Sequence, residues 1–436
     1  MLLVYTHKIT PRLTYTFKHF FTRILQIQVK FTTKVEEFIA HEGLKLTYSK
    51  QALGSEIFIR STNLLFEQGI NDAEIIMGEW DGIACFFQTR QEATVPFDVF
   101  AATFYLLSRY EEYLPHVKDE HERFTAEESI AFKYNFLEKP LIDIWAYKFK
   151  NLVKDKFSEF QFPEREFEFI STIDVDVPYT FKHKGLMRGL SGYLKDLSKF
   201  RLYDIWYRTI VNLGFRKDPF DTFEELLNYQ KQYKIKTLFF FSLGDYSTYD
   251  KNTSFRNSKY QSLIKSVADY AEVGLHPSYF SYKDETLLQK EKLRLESIFN
   301  RPVEKSRQHY LRLAIPETYQ NLINLEVKED HTMGYADHYG FRASSCTPFY
   351  FYDLEFEIQT PLKIFPFAVM DGTLKDYLEL SNKKSFEVIV NLAYEVKKVD
   401  GTFITLFHNE TVSNRGRWRR WRKMYIDVFK KLTTVK

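Results

Sequence analysis

From about residue 167 to residue 408 short, strongly apolar runs alternate with amphipathic stretches, and this alternation constrains the chain more than any other feature. Glu168-Phe-Ile-Ser-Thr-Ile173 and Thr237-Leu-Phe-Phe-Phe-Ser242 read as strands, the second a continuous apolar run of the kind found in parallel sheets covered on both faces. Between them, Asp221-Thr-Phe-Glu224 has the form of a capping box opening a helix whose Phe223, Leu226 and Leu227 point inward. A helix through 264–270 leads to a strand ending at Leu275-His276, and 284–299 repeats Leu288, Leu295 and Phe299 before Asn300, Arg301 and Pro302 stop it. A strand at 306–310, a helix opened by Pro316, extended segments near Phe341 and Ile364, a helix over 385–397 and a strand over 402–407 complete the series. Such a series makes an α/β domain on a parallel sheet, open or closed into a barrel, with ligands at the carboxyl ends of the strands.

Residues 1–165 lack this regularity. Strand-like pieces such as Glu56-Ile-Phe-Ile59 stand beside one strong helix, 97–112, ended by Leu114-Pro115, and read as a smaller α+β domain of unknown role. Its aromatic stretch 97–107, with Asp98 as its one charged residue, reads as core or as an interface with the barrel. The junction falls near Phe162-Pro163-Glu164, dividing 1–165 from 166–436. A chain of 436 residues has room for both units, and 42 Phe and 29 Tyr against 16 Gly and 13 Pro exclude a disordered one. Two cysteines, Cys85 and Cys346, are too few for a disulfide framework or a thiolate metal site and fit a reducing compartment. The apolar run 1–5 is too short for a signal peptide and nothing approaches about 18 apolar residues, so a cytoplasmic protein is expected, at most peripheral at the inner membrane surface.

Candidate chemistry gathers at the predicted strand ends. Thr172-Ile-Asp174-Val-Asp176 closes the first strand of the series, and a period of two places both carboxylates on one face. Two like charges that close require a cation or a shared proton, unless they cap the turn before Pro178. His276 in Gly274-Leu-His-Pro-Ser278, His309 in Arg307-Gln-His-Tyr310 and His408 in Leu406-Phe-His-Asn409 fall at the ends of other predicted strands. Each alone reads as structural; two aspartates and three histidines on the same rim read as a site. Oxygen and imidazole donors together suit zinc or another divalent transition metal, and the chemistry that follows is hydrolysis with a carboxylate base and an imidazole acid.

At these residues the sequence resembles the polysaccharide deacetylases, the NodB-homology group of carbohydrate esterase family four, through about residues 168–410. The resemblance implies a distorted (β/α)7-type barrel, preceded here by the smaller α+β domain. It also implies roles: Asp174 as base, Asp176 and His276 as metal ligands, Arg307 as the cation that orients the base, and His408 as the acid that protonates the leaving amine. One position departs from the family pattern, because Phe280 stands where a second ligand histidine is expected four residues after His276. His309 is the candidate replacement; Asp174, Asp371 or water are the alternatives for completing the metal shell. Phe241-Ser-Leu-Gly-Asp245, Gly340-Phe-Arg-Ala343, Cys346-Thr-Pro-Phe349 and Met370-Asp-Gly-Thr373 resemble a bacterial subgroup with an uncharacterised N-terminal domain, and Tyr246, Arg342 and Asp371, in or beside these stretches, are the expected substrate contacts. The function implied is a metal-dependent hydrolase, with zinc or else nickel or cobalt, removing N-acetyl groups from an amino sugar of a cell-envelope glycan or its precursor. A glycan-binding pseudoenzyme and an amidohydrolase of small non-sugar substrates are the alternatives.

The net charge of +3 conceals two basic segments, +8 over 415–436 and +6 over 182–218, against a remainder of −11. That remainder argues against a nucleic-acid partner. The first segment carries Trp418, Trp421 and Tyr425 at helical spacing, a basic aromatic C-terminal helix packing on the barrel with its arginines outward. The second is an insertion over the carboxyl rim. It reads as a solvated helix with its apolar face packed on the barrel, or else as a lid or interfacial helix; a peripheral contact with an anionic membrane or glycolipid is the further partner that both basic segments admit.

Overall fold

The structure, a computed structural model, describes residues 1–89 and 93–433. Residues 434–436 of the predicted basic C-terminal segment lie outside the described residues. The first sheet contains β1 (Leu2–Thr6), β2 (Val29–Thr32), β3 (Lys45–Ser49) and β4 (Ile57–Arg60) in the order β2-β1-β3-β4, and every pairing in it is parallel. A two-stranded antiparallel hairpin, β5 (Met77–Trp80) and β6 (Ile83–Phe86), follows. Helices lie in the connections from β1 to β2 and from β2 to β3, whereas residues 50–56 join β3 to β4 without one. The strands are four or five residues long, too short for periodicity to show their pairing.

The second sheet is built from β7 (Glu168–Val175), β8 (Lys236–Ser242), β9 (Glu272–His276), β10 (Lys305–Ser306), β11 (Glu329–Asp330), β12 (Phe349–Asp353), β13 (Ile358–Ile364), β14 (Val369–Met370) and β15 (Thr402–His408). Their order is β12-β13-β11-β10-β9-β8-β7-β15-β14, parallel throughout except for the edge strand β12. Alternation sorts each central strand into two faces. Phe169, Ile173, Phe239, Phe241, Phe403 and Phe407 join the large core under the helices, while Ile170, Leu238, Phe240, Ile404 and Leu406 form a separate small cluster on the other face. Met370 from one edge of the sheet and Phe365, just past β13 near the other, belong to that same small cluster, so the sheet curls around it. Curling stops short of a closed ladder: among the described residues β14 pairs with β15 alone, and β13 pairs onward with antiparallel β12.

Several expected elements change length for local reasons. The helix expected over 97–112 is Val99–Leu107, because Arg109 adopts φ 55° and turns its guanidinium into the core. The strand expected at 306–310 is two residues long and gives way to a turn in which Tyr310 and Leu311 have positive φ. The extended segment expected near Phe341 is irregular. The capping box at 221–224 does not form: Thr222 donates its hydroxyl to the Asn409 carbonyl instead of capping the helix Phe223–Tyr233. By contrast Asp284 caps the helix Glu285–Phe299 through the Leu287 N–H, and Asn300 ends it at φ 55°.

The two regions share one continuous apolar core rather than two. Trp418, Trp421 and Tyr425 are all buried, the last two on the C-terminal helix Trp421–Thr433, as the stripe predicted. The insertion is different. It forms the helices Leu186–Ser198 and Leu202–Asn212; the second buries Tyr207 and Val211, but the apolar stripe of the first, expected to pack on the barrel, is turned to solvent. No described helix is long and apolar enough to cross a membrane.

Candidate functional site

Pairing register sets the site. Asp174 lies beside His408 across β7 and β15, and Ser242, two residues beyond the Phe240 that pairs with Asp174, lies beside His276 across β8 and β9, so all reach the carboxyl rim. Asp174 and Asp176, two apart at the end of β7, both line a cavity of about 290 Å³ together with His276, His309 and His408. A larger groove, about 870 Å³, lies at the opposite, amino end of β8 between the helices Phe223–Tyr233 and Ser258–Ala268, where no comparable set of donors converges.

Three of these side chains meet at one point. Ligand atoms of Asp176, His276 and His309 all lie within 4.8 Å of one another, with Asp176 Oδ1 at 3.1 Å from His276 Nε2 and 3.6 Å from His309 Nε2. The remaining ring nitrogens are already committed. His276 Nδ1 lies 2.6 Å from the Arg307 carbonyl oxygen and His309 Nδ1 lies 2.9 Å from Asp250 Oδ1. A carbonyl and a carboxylate can only accept, so both Nδ1 atoms carry a proton, and in the neutral rings the Nε2 lone pairs face Asp176. Asp176 Oδ1 itself is buried without a hydrogen-bond partner. Acceptors turned on one another in this way fit a bound cation, with a carbonyl and a carboxylate behind the two histidines fixing their rings. His309 is here because the chain turns sharply after β10; its backbone N–H donates to the Pro277 carbonyl. Phe280, at the position of the absent histidine, is 54 % exposed and does not line the cavity.

Without an ion the same closeness favours a proton on the His309 Nε2, which a bound cation displaces. Burial opposes ionisation of Asp176, but His309, His276 and His408 outweigh it and hold its carboxyl well below the usual range. Burial lowers His309, yet Asp176 and Asp250 together push it up to about 9. Beside this cluster, Arg307 is wholly buried and donates from Nη1 to Asp174 Oδ1 at 2.9 Å and to Thr172 Oγ1 at 2.7 Å, while its Nε donates to the His331 carbonyl. Opposite, Asp371 accepts from the His408 ring Nδ1 and from its backbone N–H, both at 2.8 Å, and from the Thr411 hydroxyl. Against the effect of burial, Asp371 and then Asp176 raise His408 well above the ordinary histidine range.

The three expected substrate contacts are not in the cavity. Arg342 is buried and forked onto Glu112, with Nη2 at 2.6 Å and Nε at 2.9 Å, because a guanidinium inside the core needs a carboxylate. Tyr246 is exposed on the loop after β8, with Arg188 stacked over its ring at 4.5 Å. Asp371 is fully buried behind His408 and orients it. Sequence reasoning also missed Asp250, which lies in an irregular loop without periodicity, and Arg123, which reaches the cavity from the N-terminal region and donates to the Tyr310 carbonyl at 2.9 Å. No local signal marks either one.

Residues 2–158 match a family of unknown function, DUF7033. No curated protein matches the chain. Among solved structures, a Mycobacterium smegmatis protein assigned to the polysaccharide deacetylases is 13 % identical, with a TM-score of 0.40, over 64 % of this chain and 87 % of that one. A polysaccharide deacetylase from Bacillus cereus is 12 % identical, with a TM-score of 0.30, over 62 % and 88 %. A carbohydrate esterase family 4 pseudoenzyme from Bacillus anthracis is 12 % identical, with a TM-score of 0.32, over 62 % and 61 %. At these identities and scores the likenesses are loose, and the chemistry is drawn from the side chains of the site.

Proposed function

We propose that this protein is a metal-dependent hydrolase that removes N-acetyl groups from an amino sugar of a cell-envelope glycan or its precursor. The observation that carries the reading is the meeting of two Nε2 atoms, their Nδ1 sides already bonded, with the unpartnered Asp176 Oδ1, beside a second carboxylate held by an arginine. Asp176, His276 and His309 would hold the ion, zinc first and nickel or cobalt in its place. A divalent ion there supplies Lewis-acid polarisation of the acetamide carbonyl and of an attacking water.

The chain's own residues do the proton work. Asp174, aimed by Arg307, takes a proton from the attacking water as its oxygen bonds to the acetyl carbon. His408, charged and oriented by Asp371, gives a proton to the sugar nitrogen as the C–N bond breaks. Acetate and the free amine leave. Tyr249, Tyr310, Tyr377 and Trp418 line the cavity and offer flat faces to the apolar sides of a sugar ring.

Asp174→Asn should lower acetate release from N-acetylhexosamine oligosaccharides by about 10²–10⁴-fold, the worth of a positioned base, with metal content nearly unchanged. Turnover retained in that variant would sink the assignment. The competing reading, a glycan-binding pseudoenzyme, draws on Phe280 in place of the usual ligand; bound metal with no acetate release from any such substrate would favour it.

A further inference from the structure

We infer that the helical hairpin inserted after β7 is an interfacial anchor that seats the protein on an anionic bilayer. Met187, Leu190, Leu194 and Leu197 recur at intervals of three, four and three along Leu186–Ser198, a single helical stripe. In a helix that packs on its own protein such a stripe faces inward. Here all four side chains are exposed, Met187 at 84 %, and Phe200, Leu202, Tyr203 and Trp206 continue the apolar surface around the bend into the second helix.

The second helix buries Tyr207 and Val211, and the inward side of the first is polar and bonded. Arg208 donates to Asp196 Oδ2 at 2.6 and 3.1 Å, and the Tyr193 and Thr209 hydroxyls meet at 3.2 Å. Arg188 ties the first helix to the loop after β8 through the Asn252 carbonyl at 3.0 Å. Turning the stripe inward would break a buried ion pair, so the outward orientation is built into the packing.

Charge selects what covers the stripe. Around it Lys195, Lys199, Arg201 and Arg216 are exposed, whereas the acids of the segment are withdrawn. Asp196 is paired with Arg208, Asp218 accepts three backbone N–H groups from Thr180, Phe181 and Lys182, and Asp204 is half-buried. A second copy docked about a two-fold axis would bring these four cations against their own equivalents. An anionic lipid surface takes the cations at its headgroups and the leucines and aromatics at the acyl boundary.

The anchor also faces the site. A cleft of about 330 Å³ is lined by Asp196, Arg201 and Arg208 of the hairpin and shares Glu410, Arg417 and Trp418 with the cavity. If the hydrolase reading holds, the mouth is thus presented to glycans carried at the lipid surface; the anchor itself does not rest on that reading, and its test reads no turnover.

The test uses the full chain, sedimented with vesicles of phosphatidylcholine alone or mixed with an equal part of phosphatidylglycerol. Binding to the anionic vesicles only, weakened by salt, is expected, together with a blue shift of tryptophan emission. Trp206 is the one exposed tryptophan, the other four being buried, so Trp206→Phe should abolish the shift. Leu190→Asp combined with Leu194→Asp should weaken binding by about a hundredfold, the burial of two leucines lost, with unchanged circular dichroism and Tm. No sedimentation with anionic vesicles at low salt, binding indifferent to the double substitution, or a dimer in solution that this substitution dissolves without vesicle binding would each overturn the inference.

Discussion

At His309 two carboxylates compete for one ring: Asp176 faces Nε2, and Asp250 holds Nδ1 at 2.9 Å. Asp250 in turn accepts from the Tyr279 N–H and the Ser247 hydroxyl, so its position is fixed by backbone before the histidine arrives. An amide at this position could donate to Nδ1 as well as accept from it, which would release the tautomer that keeps the Nε2 lone pair free. Asp250→Asn should therefore lower metal affinity by about 10–100-fold while the fold persists, measured by competition with a chromophoric chelator. Unchanged affinity would remove Asp250 from the site. Asp174, Asp176, His276 and His408 were legible in the sequence because a strand end puts side chains at known parity. Asp250 was not, because a loop has no period.

Elements that pack on the sheet follow their sequence patterns, and those at the rim depart from them. Trp421 opens the C-terminal helix fully buried, with Trp418 edge-on at 5.1 Å and Tyr425 one turn further on. Trp421→Ala should cost about 3–5 kcal/mol through lost burial and the cavity left behind, read as a lower urea midpoint. A loss under about 1 kcal/mol would mean that the helix is only loosely docked. The rim hairpin carries the same apolar-plus-basic pattern, yet its stripe faces out. Periodicity finds a face, and partners on the inward side, the Asp196–Arg208 pair and the Arg188–Asn252 contact among them, decide which way that face turns.

On the scale of the whole molecule, the N-terminal region and the curled sheet are pinned by one buried charge network. Glu112 accepts from both Arg109 and Arg342, and Arg109 also donates to Glu111 and to the Arg342 carbonyl. Burial pushes Glu112 up, but Arg342 and Arg109 prevail and hold it at about 2, below its ordinary 4.5. A depressed folded-state value gives stability that is fully present above about pH 4.5 and is lost as pH falls toward 2. Glu112→Gln should cost about 3–5 kcal/mol at neutral pH, since two guanidinium groups stay buried without their shared carboxylate. Its deficit should shrink on acidification to about pH 3, where the parent is losing the same charge. Urea midpoints of both proteins at the two pH values check this, and a deficit independent of pH would break the link to Glu112.

The sequence by itself determined the parallel sheet of the second region, the strand ends that carry Asp174, Asp176, His276 and His408, and the buried C-terminal stripe. These follow from local rules of period and capping that operate within one element. Tertiary structure alone decided the rest: that β10 stops after two residues and the turn beyond it swings His309 onto Asp176, that Asp250 and Asp371 stand behind the histidines, that Arg342 serves the core and not the cavity, and that the hairpin faces outward. Each of these depends on a partner distant along the chain, and a partner's position is a property of the assembled fold.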